Sequence, residues 1–173
     1  YHLSLHVAAS AVSLIFIGWG IGGPLVGWLS DYIQRRRPIM FISALGCLIL
    51  FSLVLYLPDT TSPSVLFVIM FLYGVFNTGV ATSYALSSEI NPREIAGTSV
   101  AFANMASVII GALFQPIIGW ILDLSWDGKM QNGVPLYSTH AFQLAFLILP
   151  ICLAISVVLM FFVKETYCKG VES

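Results

Sequence analysis

The chain has 173 residues, of which 58% are hydrophobic and 9% are charged, against about 25% charged residues in an average soluble domain. This composition excludes an ordinary soluble protein. Seven Lys and Arg against eight Asp and Glu give a formal net charge of -1, so there is no basic surface for nucleic acid and we expect no nucleic-acid partner.

Five intervals without Asp, Glu, Lys or Arg are long enough to cross a bilayer core as a helix, which takes about 20 residues. Each interval is apolar throughout rather than alternating, which predicts helices and not the strands of a barrel. The predicted fold class is therefore all-α and integral to the membrane, with one helical domain over residues 1–173. The predicted spans are residues 7–29, 39–57, 64–88, 98–122 and 141–163.

The first span is rich in glycine. Gly18 and Gly22 are four residues apart, and so are Gly23 and Gly27, a spacing that lets a second helix backbone approach closely. The span is therefore predicted to lie at a helix interface that moves. The same segment matches the dinucleotide-binding pattern GxGxxG, but the strand and the acidic residue that this pattern requires are both missing.

The third span is the most polar of the five, whereas the second and fifth are the most apolar and are expected at the lipid boundary. Tyr73, Asn77, Tyr84 and Ser88 follow helical spacing, and Thr78 lies beside them. Polar groups in a membrane need partners. Two interpretations therefore stay open for Tyr73 and Asn77, which either tie helices together or line a cavity for a solute. For Tyr84 and Ser88, nearer the predicted cytoplasmic end, a tie between helices is favoured.

The fourth span continues a polar and small stripe through Asn104, Ser107, Gly111 and Gln115. Pro116 removes a backbone donor, so we expect the backbone to open next to Gln115. Contact with a solute and a kink with a satisfied glutamine remain equal interpretations. The candidate cavity-lining residues are Tyr73, Asn77, Thr78, Asn104 and Gln115.

Three segments outside the spans contain recognisable patterns. Residues 27–37 read GWLSDYIQRRR, residues 89–98 read EINPREIAGT, and residues 163–166 read VKET. The first resembles the signature loop of the major facilitator superfamily of transporters, roughly G-x-L-[AS]-D-[RK]-x-G-[RK]-[RK]. The loop departs from that pattern at Tyr32, where a cation is expected, and at Gln34, where a glycine is expected. The other two segments are similar to the link before the family's eleventh helix and to the end of its twelfth.

The resemblance implies that the chain forms helices eight to twelve of a twelve-helix carrier, with helices two to six as the alternative. It further implies secondary active transport of a small organic solute by alternating access between two halves. Under this resemblance Asp31 is expected over the start of the fourth span, near Gly97 and Thr98, where free N–H groups favour an anion. The arginines are then expected to pair with Glu89 or Glu94. The residues of the gating motif are Gly27, Asp31, Arg35, Arg36 and Arg37.

Other classes of protein are weighed against a carrier. No nucleophile with a base lies within a span, so an enzyme is not expected. No metal is expected, because the two histidines at helical spacing near the start of the chain have no third ligand. No cofactor is expected apart from a coupling proton, and its carboxylate is expected in the rest of the carrier, because every carboxylate here lies at or beyond a helix end. A membrane scaffold or sensor that does not transport remains the alternative function.

The expected surroundings follow from the distribution of charge. Six of the seven cations fall on one side of the predicted spans, which places that side and the C-terminus in the cytoplasm. The expected location is a bacterial inner (plasma) membrane. Five spans leave the chain ends on opposite faces, so we expect a fragment of a larger carrier. The expected partners are the small solute, the lipid bilayer and the remainder of that carrier.

Overall fold

The computed structural model describes residues 4–58, 60–131 and 133–170. Seven helices and one short hairpin make up the described part of the chain. The helices are α1 (Leu5–Ile33), α2 (Arg37–Tyr56), α3 (Pro63–Asn77), α4 (Gly79–Glu89), α5 (Arg93–Leu124), α6 (Thr139–Phe146) and α7 (Ile148–Leu159). The strands are β1 (Met130–Gln131) and β2 (Val134–Pro135).

Five helical stretches are long and apolar enough to cross a membrane. This confirms the predicted all-α membrane fold with five membrane-spanning helices. The helices extend beyond most of the predicted spans, since polar residues continue the helical hydrogen bonding past the apolar core. The stretches are Leu5–Ile33, Arg37–Tyr56, Pro63–Glu89, Ala96–Leu124 and Thr139–Leu159.

Two of the five stretches are interrupted by a local break in the helix. The third stretch breaks at Thr78, whose hydroxyl donates to the carbonyl of Val75 at 2.6 Å. The fifth breaks at Leu147, three residues before Pro150. Because proline has no N–H, Pro150 cannot donate to the carbonyl of Phe146, the last residue of α6.

Glycines bring α1 and α3 into backbone contact. A Cβ atom on Gly18 would overlap the carbonyl oxygen of Phe71, and one on Gly74 would overlap that of Ile15. A Cβ atom on Gly22 would lie 2.8 Å from Cα of Val75. Gly18 and Gly22 therefore lie at a helix interface with α3, and movement at this interface stays a prediction.

The second glycine pair behaves differently from the first. Within the described part of the chain, nothing lies within 4 Å of a Cβ atom on Gly20, Gly23 or Gly27. No other described helix therefore packs against α1 at these three glycines.

Helix α2 packs mainly against α3 and α7, and also against α1, α4 and α6. One face is buried through residues that include Met40, Ser43 and Cys47. The opposite face exposes apolar side chains such as Ile42 and Ile49. Such an apolar outer face is what a helix at a lipid boundary requires.

Helix α5 is the least covered of the helices. It packs against α4 and α6, and none of its residues, all of which the structure describes, is buried. The helix also continues unbroken through Pro116. The backbone opening that we expected beside Gln115 is therefore not formed as a break in the helix.

A hairpin joins α5 to α6 at the end of the bundle that contains Lys129. Met130 pairs with Pro135 and Gln131 with Val134, in antiparallel register. Gly133 has a φ of +78°, a conformation that glycine adopts readily. The hairpin was not predicted, because strands of two residues are too short to show alternating hydrophobicity.

Candidate functional site

The side chain of Arg36 lies between α1 and α2 and is only 10% exposed. Its Nη1 lies 2.6 Å from Oδ1 of Asp31 and 3.0 Å from Oγ of Ser30. Its Nη2 and Nε lie 2.6 Å and 3.1 Å from Oε1 of Glu89. One guanidinium therefore joins the end of α1 to the end of α4.

A tight turn brings Arg36 back over the end of α1. Gln34 ends α1 in the left-handed conformation, with φ 53° and ψ 37°, and its N–H donates to the carbonyl of Asp31. Arg35 donates its N–H to the carbonyl of Ser30. Glycine is favoured at such a position, so Gln34 fills the position of the expected glycine and adopts a glycine-like conformation there.

Glu165 connects the segment after α7 to the amino end of α2. Its Oε1 accepts from the N–H of Arg36 at 2.7 Å, and its Oε2 accepts from the N–H of Arg37 at 3.1 Å. The next residue, Thr166, donates its hydroxyl to Oε2 of Glu89. We call Ser30, Asp31, Arg36, Glu89, Glu165 and Thr166 the Arg36 cluster.

The two carboxylates that pair with Arg36 differ in their exposure to solvent. The side chain of Glu89 is 12% exposed, whereas that of Asp31 is 67% exposed. The hydrogen bond to Glu89 raises the pKa of Arg36 above its ordinary value, burial works against this, and the bond to Asp31 adds to it. Arg36 is therefore charged at any physiological pH, and Glu89 is its main partner.

These contacts decide between the expectations for the gating motif. The predicted pairing of the arginines with Glu89 is confirmed through Arg36. Asp31 was expected beside the start of the fourth span, but its carboxylate instead forms an ion pair with Arg36. Helix α1 packs mainly on α3 and α5 on α4, so Asp31 is not bonded to the start of α5 in the described residues.

The other members of the gating motif lie around the Arg36 cluster. Arg37 donates from Nη2 to the carbonyl of Phe161 at 2.9 Å, whereas Arg35 is exposed. Gly27 faces open space in the described part of the chain. A gating role for these residues stays a prediction.

The candidate cavity-lining residues of the third span point toward α1 and α2. The ring of Tyr73 lies 6.0 Å from that of Phe51 on α2. Asn77 lines a recess of about 260 Å³ between α2, α4 and α7. Thr78 is 1% exposed, and its methyl group would contact a Cβ atom on Gly22 of α1.

The candidates of the fourth span form a second group on the exposed side of α5. Asn104 and Gln115 are both exposed. They are eleven residues apart, so they share one face at about 16 Å along the helix axis. Tyr84 of α4 donates its hydroxyl to Oδ1 of Asn104 at 3.1 Å and lies 3.3 Å from Oγ of Ser107.

The five cavity candidates thus do not share one surface. Tyr84 was expected to tie helices together, and its hydroxyl does so by bonding α4 to Asn104 of α5. The described residues contain no group of three or more His, Cys, Asp or Glu that is placed to hold a metal. The polar groups on the α4 and α5 face are uncharged, so they can contact a solute only through hydrogen bonds.

The contact of Glu165 with α2 is expected to weaken at acidic pH. Burial works to raise the pKa of Glu165, but N–H donors, first those of Arg36 and Arg37, outweigh it and hold the pKa below its ordinary value. The stabilisation that the Glu165 carboxylate contributes is therefore complete above the pKa of about 4.3 of an unfolded glutamate. It is lost as the pH falls through the lower pKa of Glu165 in the folded protein. Glu165→Gln removes the charge and one of the two acceptor oxygens, so it should weaken the contact at every pH.

Hydrogen exchange of the Arg36 and Arg37 amides in the full-length protein measures this loss, once protection factors are corrected for intrinsic rates. Glu94→Gln, at the start of α5 and outside the Arg36 cluster, is the matched control. Equal protection in Glu165→Gln and wild type at neutral pH would show that Glu165 does not hold the amino end of α2.

Comparison with known proteins places this geometry in a family. The profile of the Major Facilitator Superfamily matches residues 1–171. The chain is 30% identical over 121 residues to sugar phosphate exchanger 3 of Mus musculus, covering 61% of this chain and 24% of that protein. It is 27% identical over 172 residues to the ascochitine biosynthesis cluster MFS transporter of Didymella fabae, covering 96% of this chain and 29% of that protein.

A solved structure shows the same fold. The xylose transporter XylE from E. coli, in a partially occluded inward-open conformation, aligns with a TM-score of 0.61 at 21% identity. The alignment covers 95% of this chain and 42% of that one. The chain thus spans about a quarter of the length of the curated relatives above, at 24% and 29%. Since the family profile matches almost the whole chain, from residue 1 to 171, this protein belongs to the Major Facilitator Superfamily.

Proposed function

We propose that the full-length protein is a secondary active transporter that moves a small organic solute by alternating access between two halves. This chain supplies five helices of one half, placed by the sequence as helices eight to twelve. The observation that supports the proposal most is the Arg36 cluster. Its two ion pairs join α1 to α4, and hydrogen bonds of Glu165 and Thr166 add the segment after α7 at the same end of the bundle.

The proposed side of the membrane follows from the same cluster. The contacts of Glu89 and Glu165 bring the α4–α5 joint and the segment after α7 next to Arg36. Lys129 lies in the hairpin segment at the opposite end of α5. By the positive-inside rule the end with the Arg36 cluster is cytoplasmic, in our proposal at a bacterial inner membrane.

The solute is proposed to contact the face of α4 and α5 that bears Tyr84, Asn104 and Gln115. This face is uncovered in the chain and presents a phenol and two amides, which bond hydroxyl or carbonyl groups without fixed charge. A neutral solute fits such a surface, as does an anionic solute whose charge is met by the other half. A relative is named a sugar phosphate exchanger, which supports a small organic solute of this kind.

Transport assays test the proposal directly. The full-length protein is reconstituted in proteoliposomes, and uptake of sugars, sugar phosphates and other small metabolites is measured with and without a proton gradient. For a transported solute, Asn104→Ala should raise KM about fivefold to tenfold, the cost of one lost hydrogen bond. Asp31→Asn should lower the uptake rate, because it weakens the Arg36 cluster.

Asn77→Ala is the matched comparison, because it removes the same amide from the recess between α2, α4 and α7. A larger effect on KM from Asn77→Ala than from Asn104→Ala would contradict the proposed face. Absence of uptake of every solute by well-folded protein would favour the scaffold or sensor instead.

A further inference from the structure

A recess of about 400 Å³ lies beside the Arg36 cluster, where the start of α2 meets the segment after α7. Its rim is cationic, and its floor is apolar. The residues that matter for its chemistry are Arg35, Arg37, Phe41, Ile42 and Phe161.

The two cations of the rim differ in how they are held. Arg37 bonds the carbonyl of Phe161, and its guanidinium carbon lies 5.9 Å from the centre of the Phe161 ring. Arg35 is exposed, and its side chain makes no hydrogen bond or ion pair within residues 4–58, 60–131 and 133–170. Both guanidinium groups thus keep N–H donors available for a bound anion.

The floor of the recess is an exposed apolar surface. Phe41 packs edge-on against Phe161 with ring centroids 5.3 Å apart. Phe161 is 60% exposed and Ile42 is 53% exposed. These side chains lie at the point where the apolar part of α2 begins, next to the cations.

The carboxylate that borders the recess offsets part of this charge, so the lining has two cations against one anion. Glu165 lines the recess, but its two oxygens accept the N–H groups of Arg36 and Arg37. Arg36 is in turn paired with Glu89 and Asp31. Glu165 makes no ion pair with Arg35 or Arg37 in the described residues, so both guanidinium groups keep donors for an anion and the lining carries one net positive charge.

We propose that this recess binds one anionic phospholipid from the leaflet at the Arg36-cluster end, which is the cytoplasmic leaflet in the orientation proposed above. The headgroup phosphate lies on Arg35 and Arg37, since guanidinium groups match phosphate oxygens in geometry and charge. An acyl chain lies along Ile42 and Phe161. A basic recess at the edge of a membrane-spanning helix is the chemistry that recognises anionic headgroups, and a free phosphate would leave the apolar floor uncovered.

Lipid titration of the full-length protein tests the proposal. The purified protein is stripped of lipid in detergent, and binding of phosphatidylglycerol is measured by native mass spectrometry against phosphatidylcholine. Each arginine at a membrane surface contributes about fivefold, so Arg35→Gln should weaken phosphatidylglycerol about fivefold and the double substitution with Arg37→Gln about 25-fold. Phosphatidylcholine should bind wild type as weakly as phosphatidylglycerol binds the double variant.

Two further variants distinguish a specific lipid site from general electrostatic attraction between anionic lipid and the cations at this end. Arg93→Gln removes a cation at the same end, at the start of α5, and should change affinity by less than about twofold if the recess is specific. Ile42→Asn keeps the charge and should weaken binding several-fold, because it removes part of the apolar floor. Arg35 is exposed, so Arg35→Gln keeps the test valid if the double variant fails to fold.

Competition with soluble anions distinguishes a lipid from free phosphate. Inorganic phosphate and glycerol phosphate should displace phosphatidylglycerol only at concentrations at least a hundred times higher. Equal potency of glycerol phosphate, an equal loss in Arg93→Gln, or unchanged affinity in Arg35→Gln would each overturn the proposal.

Discussion

Replacing Arg36 by glutamine is expected to destabilise the full-length protein by about 3 kcal/mol, the range found when one partner of a buried ion pair is removed. The loss is large because Glu89 is 12% exposed and would be left charged, with little water to replace the guanidinium. Asp31 is 67% exposed and keeps its hydration, so the loss of its ion pair with Arg36 adds little to the destabilisation. Thermal unfolding in detergent measures the change.

Arg35→Gln is the matched control for this prediction. It removes the same charge one residue away, from an exposed side chain, and should cost less than about 0.5 kcal/mol. The double substitution with Glu89→Gln should recover part of the loss, because it also removes the stranded carboxylate. If Arg36→Gln were as stable as Arg35→Gln, the cluster would contribute nothing to holding α1 and α4 together.

Uptake by the Arg36→Gln variant separates stability from transport. We expect Arg36→Gln to lower the rate of uptake even at a temperature where the protein remains folded, since α1 and α4 would lose the guanidinium that joins them. Arg93→Gln, which removes an exposed cation outside the gating motif, should retain most of the wild-type rate. A folded Arg36→Gln protein with the full rate would contradict a gating role for the cluster.

The second large effect is expected from adding one methyl group at Gly18. A Cβ atom there would overlap a backbone oxygen of α3 at Phe71, and backbone cannot move aside as a flexible side chain can. Gly18→Ala should therefore push α1 away from α3 and cost about 3 kcal/mol, at the upper end of overpacking. Gly74→Ala should behave alike, since it meets the carbonyl of Ile15 from the other side.

Gly20→Ala is the control, since it adds the same methyl group two residues away, where nothing in the described chain lies within 4 Å. Alanine favours a helix over glycine by about 0.5–1 kcal/mol, so this variant should be at least as stable as wild type. Melting curves of the full-length proteins provide the comparison. Indistinguishable curves for Gly18→Ala and Gly20→Ala would mean that α1 and α3 are not in backbone contact.

The membrane-spanning helices were predictable because charge is absent from long stretches, and a membrane leaves such stretches few other structures. The breaks at Thr78 and Leu147 were not predicted, since hydropathy averages over them. Pro150 was a usable signal for the second break. The first depends on tertiary packing, because a Cβ atom on Gly79 would overlap the side chain of Ser43 on α2.

The candidate site was predictable only in part. The pairing of Arg36 with Glu89 follows from opposite charges at the same end of neighbouring spans. The contact between Glu165 and Arg36 joins residues 129 positions apart, and no local pattern reports such a contact. The spacing from Tyr73 to Tyr84 assumed one continuous helix, and the break at Thr78 invalidates that assumption.

The bond from Glu165 to the amino end of α2 also has a consequence for biogenesis. A ribosome synthesises α2 more than a hundred residues before it reaches Glu165, as the separation of 129 positions shows. During that time α2 sits in the translocon or bilayer with two backbone N–H groups that only water can satisfy. The cap can form only after Glu165 has been synthesised, so its formation reports that all five spans have been synthesised.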